Sequence, residues 1–174
     1  IYQKYSTSYQ TKIGLTLNSI GCAFYELENY DQALQFHQQA LSIQEQHYIS
    51  GHRDTAVSLN YIGNILFAQN QYDQALEYLQ QALSIVEKLD SSDLDLLSAI
   101  LDNIGTIFNN QKNFDQVLHF RQRKLDVLRS QNDHSLNHEG IAETLRDIAN
   151  TKIDQEKYDE AIELFQQSST IYKE

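Results

Sequence analysis

Apolar residues recur at helical spacing along most of the chain. Leu17, Ile20 and Phe24 stand three and then four positions apart, and Leu59, Ile62 and Leu66, then Leu101, Ile104 and Phe108, repeat the pattern. That period gathers the apolar side chains into one stripe on one face of a helix. After each stripe comes a short polar link, then an aromatic residue, an aspartate and a second stripe: "YDQAL" at 30–34 and 72–76, "FDQVL" at 114–118, "YDEAI" at 158–162. The phrase returns after 42, 42 and 44 residues. Each unit therefore reads as two helices, A and B, and short links make them antiparallel neighbours. Asp31, Asp73, Asp115 and Asp159 fall in the first turn of helix B, where a negative charge meets the positive end of the helix dipole.

Small residues fix how closely the helices approach. Gly21, Gly63, Gly105 and Ala149 share one register position on helix A; Ala33, Ala75, Val117 and Ala161 share one on helix B. Glycine inside a helix costs about 1 kcal/mol relative to alanine. A close helix crossing is the steric reason to keep it there.

A helix pair with Leu, Ile, Gly and an aromatic, followed by Tyr-Asp-x-Ala and a second Ala, resembles the tetratricopeptide repeat. The resemblance implies an all-α fold, an α–α superhelix in which stacked pairs build a continuous core and an open, curved surface. The usual repeat has 34 residues and a proline closing its second helix. Here the period is 42 to 44 and proline is absent, as in the long repeats of kinesin light chains and Pins-type polarity adaptors, which this chain resembles, the latter through "FRQRKLDVLRSQND" (120–133). The extra residues are expected to lengthen helix B and the start of the next helix A. In register, residues 1–10 read as the end of a preceding repeat and its linker, with "IYQK" over the "IYKE" of 171–174; repeats follow at 11–50, 51–92, 93–134 and 135–174. The chain has no methionine and is expected to be a piece of a longer protein. Ser168 and Ser169 replace the Ala-Leu pairs at 40–41 and 82–83, so the fourth repeat reads as a last full one.

Arrays of this kind hold extended peptides or partner helices in a groove lined by the A helices. Carried over by register, the groove residues here are Asn18, Cys22 and Tyr25; Asn60, Asn64 and Phe67; Asp102, Thr106 and Asn109; and Arg146, Asn150 and Ile153. The carboxylate clamp of chaperone co-factors is absent, because its ranks carry Asn18 and Cys22, Asn60 and Asn64, Asp102 and Thr106. Among groove cations of the kind kinesin light chains use, only Arg146 stands in register. Asparagine both donates and accepts, so a row of amides suits an extended backbone.

Charge and composition narrow the partners. The formal net charge is −11, which repels a duplex or an anionic bilayer at long range. A protein or peptide partner is expected, with no nucleic acid and no membrane insertion. A lone cysteine, Cys22, excludes an internal disulfide, and no signal-like segment or long apolar run occurs. A soluble, cytoplasmic setting follows.

Candidate chemistry is sparse. His134 and His138, beside Asp133 and Glu139, have a spacing that would suit a metal on a helix, but the segment reads as a polar inter-repeat loop. His37 reads as a satisfied histidine on a packed helix and Cys22 as an ordinary small side chain. Arg121, Arg123, Lys124 and Arg129 cluster on helix B of the third repeat, either as a basic dock for an acidic partner or as long stems covering the helix. No glycine-rich phosphate loop, GxSxG elbow or HExxH is present, so neither enzymatic activity nor a cofactor is expected. The expected role is an interaction module of a scaffold or adaptor. The alternative is a regulatory or sensor array whose catalytic or switch domain lies elsewhere in a longer polypeptide.

Overall fold

The computed structural model describes the backbone of residues 2–47, 52–89, 93–130 and 134–173, with side chains from Tyr9 onward and, after 134, from Asn137 onward. Among the described residues it contains eight helices and no strand: α1 (Tyr2–Glu26), α2 (Tyr30–His47), α3 (Arg53–Ala68), α4 (Tyr72–Val86), α5 (Leu94–Asn110), α6 (Phe114–Ser130), α7 (His134–Asp154) and α8 (Tyr158–Ile171). The helices pair in chain order, α1 on α2, α3 on α4, α5 on α6 and α7 on α8. They form two compact units, one up to Asp93 and one from Leu94.

The A-to-B turns share one chemistry. Glu28, Asn70, Lys112 and Glu156 each take a left-handed φ, between 56° and 62°. The next residue's N–H reaches back to close the helix end: Asn29 to Phe24 O, Gln71 to Leu66 O, Asn113 to Phe108 O, and Lys157 to Lys152 O, at 2.8–2.9 Å. Each B helix then opens on its aromatic residue, with Asp31, Asp73, Asp115 and Asp159 in the first turn.

In the first unit α3 is the central helix. Ala56, Leu59, Ile62, Ile65 and Leu66 are buried, and they pack with the buried Ala33, Ala40, Ala75, Leu79 and Ala82 of the B helices. Gly63 is where the pair closes: a Cβ built there would lie 2.6 Å from Leu79 Cγ and 3.3 Å from the Ala75 carbonyl. The small-residue register thus marks the crossing in this repeat. Gly105, at the same register, has its nearest atoms at 3.8 Å, so the third repeat crosses more loosely. In α1 the stripe residue Ile20 is 37% exposed, because among the described residues α1 packs on α2 and, slightly, on α3. The second unit centres on Leu125, Leu128, Ile141, Leu145 and Ile148, flanked by Leu118, Leu164 and Ile171.

Successive repeats are also joined by paired side chains. Gln69 Nε2 donates to Asp31 at 2.9 Å and Gln155 Nε2 to Asp115 at 3.4 Å, so the helix-B aspartate accepts from the turn of the following repeat. The lengthening of the repeat falls mainly at the start of helix A, where Arg53 to Ser58 precede Leu59 and Leu94 to Ile100 precede Leu101.

Three sequence expectations change. Residues 2–10 belong to α1 itself, since nothing between Tyr2 and Glu26 breaks a helix: there is no proline and the one glycine before the crossing, Gly14, stays helical. His134 and His138 lie on α7 rather than in a loop, for the same want of a breaker, while Asp133 is outside the described residues. Ser168 is buried and donates to Ala142 O at 2.8 Å, so it faces helix A of its own repeat.

Candidate functional site

The register places Asn18, Cys22 and Tyr25 on α1 and Asn60, Asn64 and Phe67 on α3. The structure divides them by what their polar atoms already hold. Asn18 is buried; its Nδ2 donates to Ser58 Oγ at 2.8 Å, and its Oδ1 accepts from His37 Nδ1 at 2.9 Å and from Ser58 Oγ at 3.2 Å. It ties α1, α2 and α3 together and is not open to a partner. Asn60 is buried at 7% exposure and likewise faces the packed interior. Phe67 packs on Tyr72 with ring centroids 5.7 Å apart, and Tyr25 meets Tyr30 edge-on at 5.5 Å, so both also brace the first residue of helix B.

Cys22, Tyr25 and Asn64 come together around an open hollow of about 210 Å³, joined by Glu26 and Tyr61. Sequence reasoning missed those two. The signal was present: Glu26 follows Cys22 by four residues and Tyr61 precedes Asn64 by three, which sets each pair on one helix face. Tyr61 is stacked on His37 at 4.7 Å. The neighbouring Cys22, and then burial, raise the Tyr61 hydroxyl above its ordinary pKa. Burial raises Tyr25 too, helped by Tyr30 and the Glu26 carboxylate. His37 lies under Gly21 with a buried Nε2 that has no hydrogen-bond partner, and desolvation lowers its pKa to about 4. It is a neutral core histidine.

In the second unit the predicted face is largely engaged in internal pairs. Asp102 accepts from Lys124 Nζ at 2.8 Å, and the Thr106 hydroxyl donates back to Asp102 O at 2.9 Å. Arg146 stands 3.9 Å from Glu143; Asn150 and Ile153 are exposed and Asn109 half-buried. The basic dock is dispersed. Arg121 donates to Asp147 O at 2.6 Å and to Thr151, bridging α6 to α7, while Lys124 is held by Asp102. Burial pushes the Asp147 carboxyl up against the opposing pull of Arg121. Arg123 lies over the Phe120 ring at 5.9 Å and lines a hollow of about 530 Å³ together with Asp115 and Asp126, which offset its charge. Arg129 stands exposed in the last turn of α6, a favourable place for a cation. Helical angle is the reason: residues 121 and 124 turn toward the neighbouring A helices, and 123 and 129 do not. No group of three or more His, Cys, Asp or Glu side chains is placed to hold a metal among the described residues, and none of the helices searched there is long and apolar enough to cross a membrane.

The tetratricopeptide repeat family model matches residues 13–88, 54–130 and 96–174, three overlapping stretches that together run from 13 to 174. The chain belongs to the tetratricopeptide repeat family. No curated protein matches it in sequence. Among solved structures, BtubC (BKLC) from P. vanneervenii is similar with a TM-score of 0.84 at 14% identity, over 92% of this chain and 63% of that one. Aspartyl phosphate phosphatase F from Bacillus subtilis gives 0.82 at 16% identity, over 94% and 41%. The apo form of RapI gives 0.79 at 17% identity, over 93% and 56%. At such identities the likeness is one of fold, and the tetratricopeptide chain described here spans between 41% and 63% of these three.

Proposed function

We propose that the chain is a protein-interaction module of a larger scaffold or adaptor, kinesin light chain-like and cytoplasmic, without catalytic activity of its own. It takes an extended peptide or a partner helix along the face lined by its A helices. One observation carries the reading: on α1 and α3 the side chains of Tyr25 and Asn64 line an open hollow, whereas the amides of Asn18 and Asn60 are turned into the core. Tetratricopeptide repeats serve protein–protein contact, and the net charge of −11 supports a protein over a nucleic acid.

Selection of short peptides from a displayed random library against the whole chain tests this. Asn64→Ala is expected to weaken a selected peptide about five- to ten-fold, since a net hydrogen bond contributes about 1 kcal/mol. Tyr25→Ala is expected to weaken it further. Undiminished binding by both variants would move the site elsewhere.

A regulatory array within a longer polypeptide is the second reading. The likeness to aspartyl phosphate phosphatase F, of which the chain matches 41%, favours it. A catalytic or nucleotide-binding motif in adjoining sequence would decide for this reading.

A further inference from the structure

Glu26 stands in an unfavourable place. It is the last residue of α1, where the helix dipole is already negative, and no basic residue lies in that last turn. α3 and α5 end on Ala68 and Asn110, and α7, which ends on Asp154, carries Lys152 in its last turn. Among the described residues Glu26 has no ion pair and Asn64 no hydrogen bond to its side chain. Both groups line the same hollow, together with Tyr25, Tyr61 and Cys22. The surroundings add more negative charge: four basic and ten acidic side chains occur up to Asp93, a net of −6.

We propose that this hollow is a subsite for one cationic side chain, an arginine or lysine of the partner segment. The inference rests on the docking face proposed above and names the chemistry of what docks there. Size favours a single side chain, because a hollow of about 210 Å³ lies below the roughly 300–1,000 Å³ of pockets that enclose a small-molecule ligand. The Glu26 carboxylate supplies the counter-charge. The Asn64 carbonyl oxygen accepts an N–H, and the Tyr25 and Tyr61 rings offer the electron-rich surface that cations prefer. Tyr61 is pre-set for this, since the His37 stack fixes its ring before anything binds. Glu26 is the one formal charge in the lining, so an acidic or neutral side chain gains nothing comparable.

Titration of the whole chain with acetyl-arginine amide, followed by ¹⁵N–¹H NMR, tests the subsite without a partner. Shifts are expected at residues 22–26 and 61–64, with a Kd on the order of 1 mM, the weak affinity a single side chain supports. Added salt is expected to weaken binding, because the pair is near the surface. Acetyl-citrulline amide, the neutral isostere, is expected to bind at least five-fold more weakly, and so is acetyl-arginine amide to Glu26→Gln. Equal shifts from the citrulline compound, or shifts centred on other carboxylates such as Asp31 or Asp54, would overturn the subsite. If library-selected peptides still depended on Asn64 and Tyr25 in that case, the docking face would stand and only its cation preference would fall. If neither variant weakened them, the docking face itself would fail.

Discussion

The imidazole of His37 lies so close to Gly21 that a Cβ on that glycine would fall 2.6 Å from Nε2. One repeat later Leu79 fills the corresponding place beneath Gly63, at the same 2.6 Å. A polar ring thus stands in a site shaped for an apolar side chain, tied by Nδ1 to Asn18 and by its face to Tyr61. The buried polar link connects the core to the A-helix face, because Tyr61 also lines the hollow.

The histidine makes stability depend on pH. Its pKa falls from 6.5 to about 4 because burial disfavours the charged form. The unfolded chain therefore binds the extra proton between those values. The stabilisation is fully present above about pH 6.5 and is lost as pH falls toward 4, by an amount on the order of 3 kcal/mol. His37→Leu, which copies Leu79, is expected to remove that part of the acid slope. Urea midpoints at pH 7 and pH 4.5 check it: a slope unchanged by the substitution contradicts the assignment.

Gly63 and Gly105 share a register yet are expected to respond with opposite sign. At Gly63 an added methyl meets Leu79 and the Ala75 carbonyl, and overpacking costs about 1–3 kcal/mol. At Gly105 the nearest atoms are 3.8 Å away, so Ala fits and gains up to about 1 kcal/mol of helix propensity. Thermal melts should show Gly63→Ala lowered and Gly105→Ala raised, about 2–4 °C per kcal/mol for a chain of this size.

Gln44 is fully buried on α2 with neither amide atom hydrogen-bonded. Its register mates are the buried Val86 and Leu128. An unpaired buried polar group costs about 1–3 kcal/mol, so Gln44→Leu is expected to raise the melting temperature. A fall would mean that the amide has a role which its surroundings do not show.

The repeat architecture was legible because period, turn position and small crossing residues all follow from local spacing. Helix starts were less so: residues 2–10 and 134–138 are polar, and polarity without a breaker reads equally as loop or exposed helix. At the candidate face, register placed Asn18, Asn60 and Asn64 alike. What separates them is partners distant in sequence; Asn18 is held by Ser58, forty residues on, and by His37. The partners of the basic residues of α6 were hidden for the same reason, since Asp102, Asp147 O and Thr151 lie on other helices.

Arg121 separates a structural role from a docking one. Arg121→Ala removes its bonds to Asp147 O and Thr151 and is expected to destabilise the chain by about 1–3 kcal/mol. Affinity for a library-selected peptide should stay within about two-fold. A weakened peptide with unchanged stability would restore the basic dock.

A partner segment is proposed to dock on the A-helix face of α1 and α3. Mapping a library-selected peptide onto the whole chain by NMR shift perturbation tests it most directly. The predicted footprint covers residues 22–26 and 61–67. A footprint confined to the outer faces of the B helices, such as residues 115–126 of α6, would contradict it.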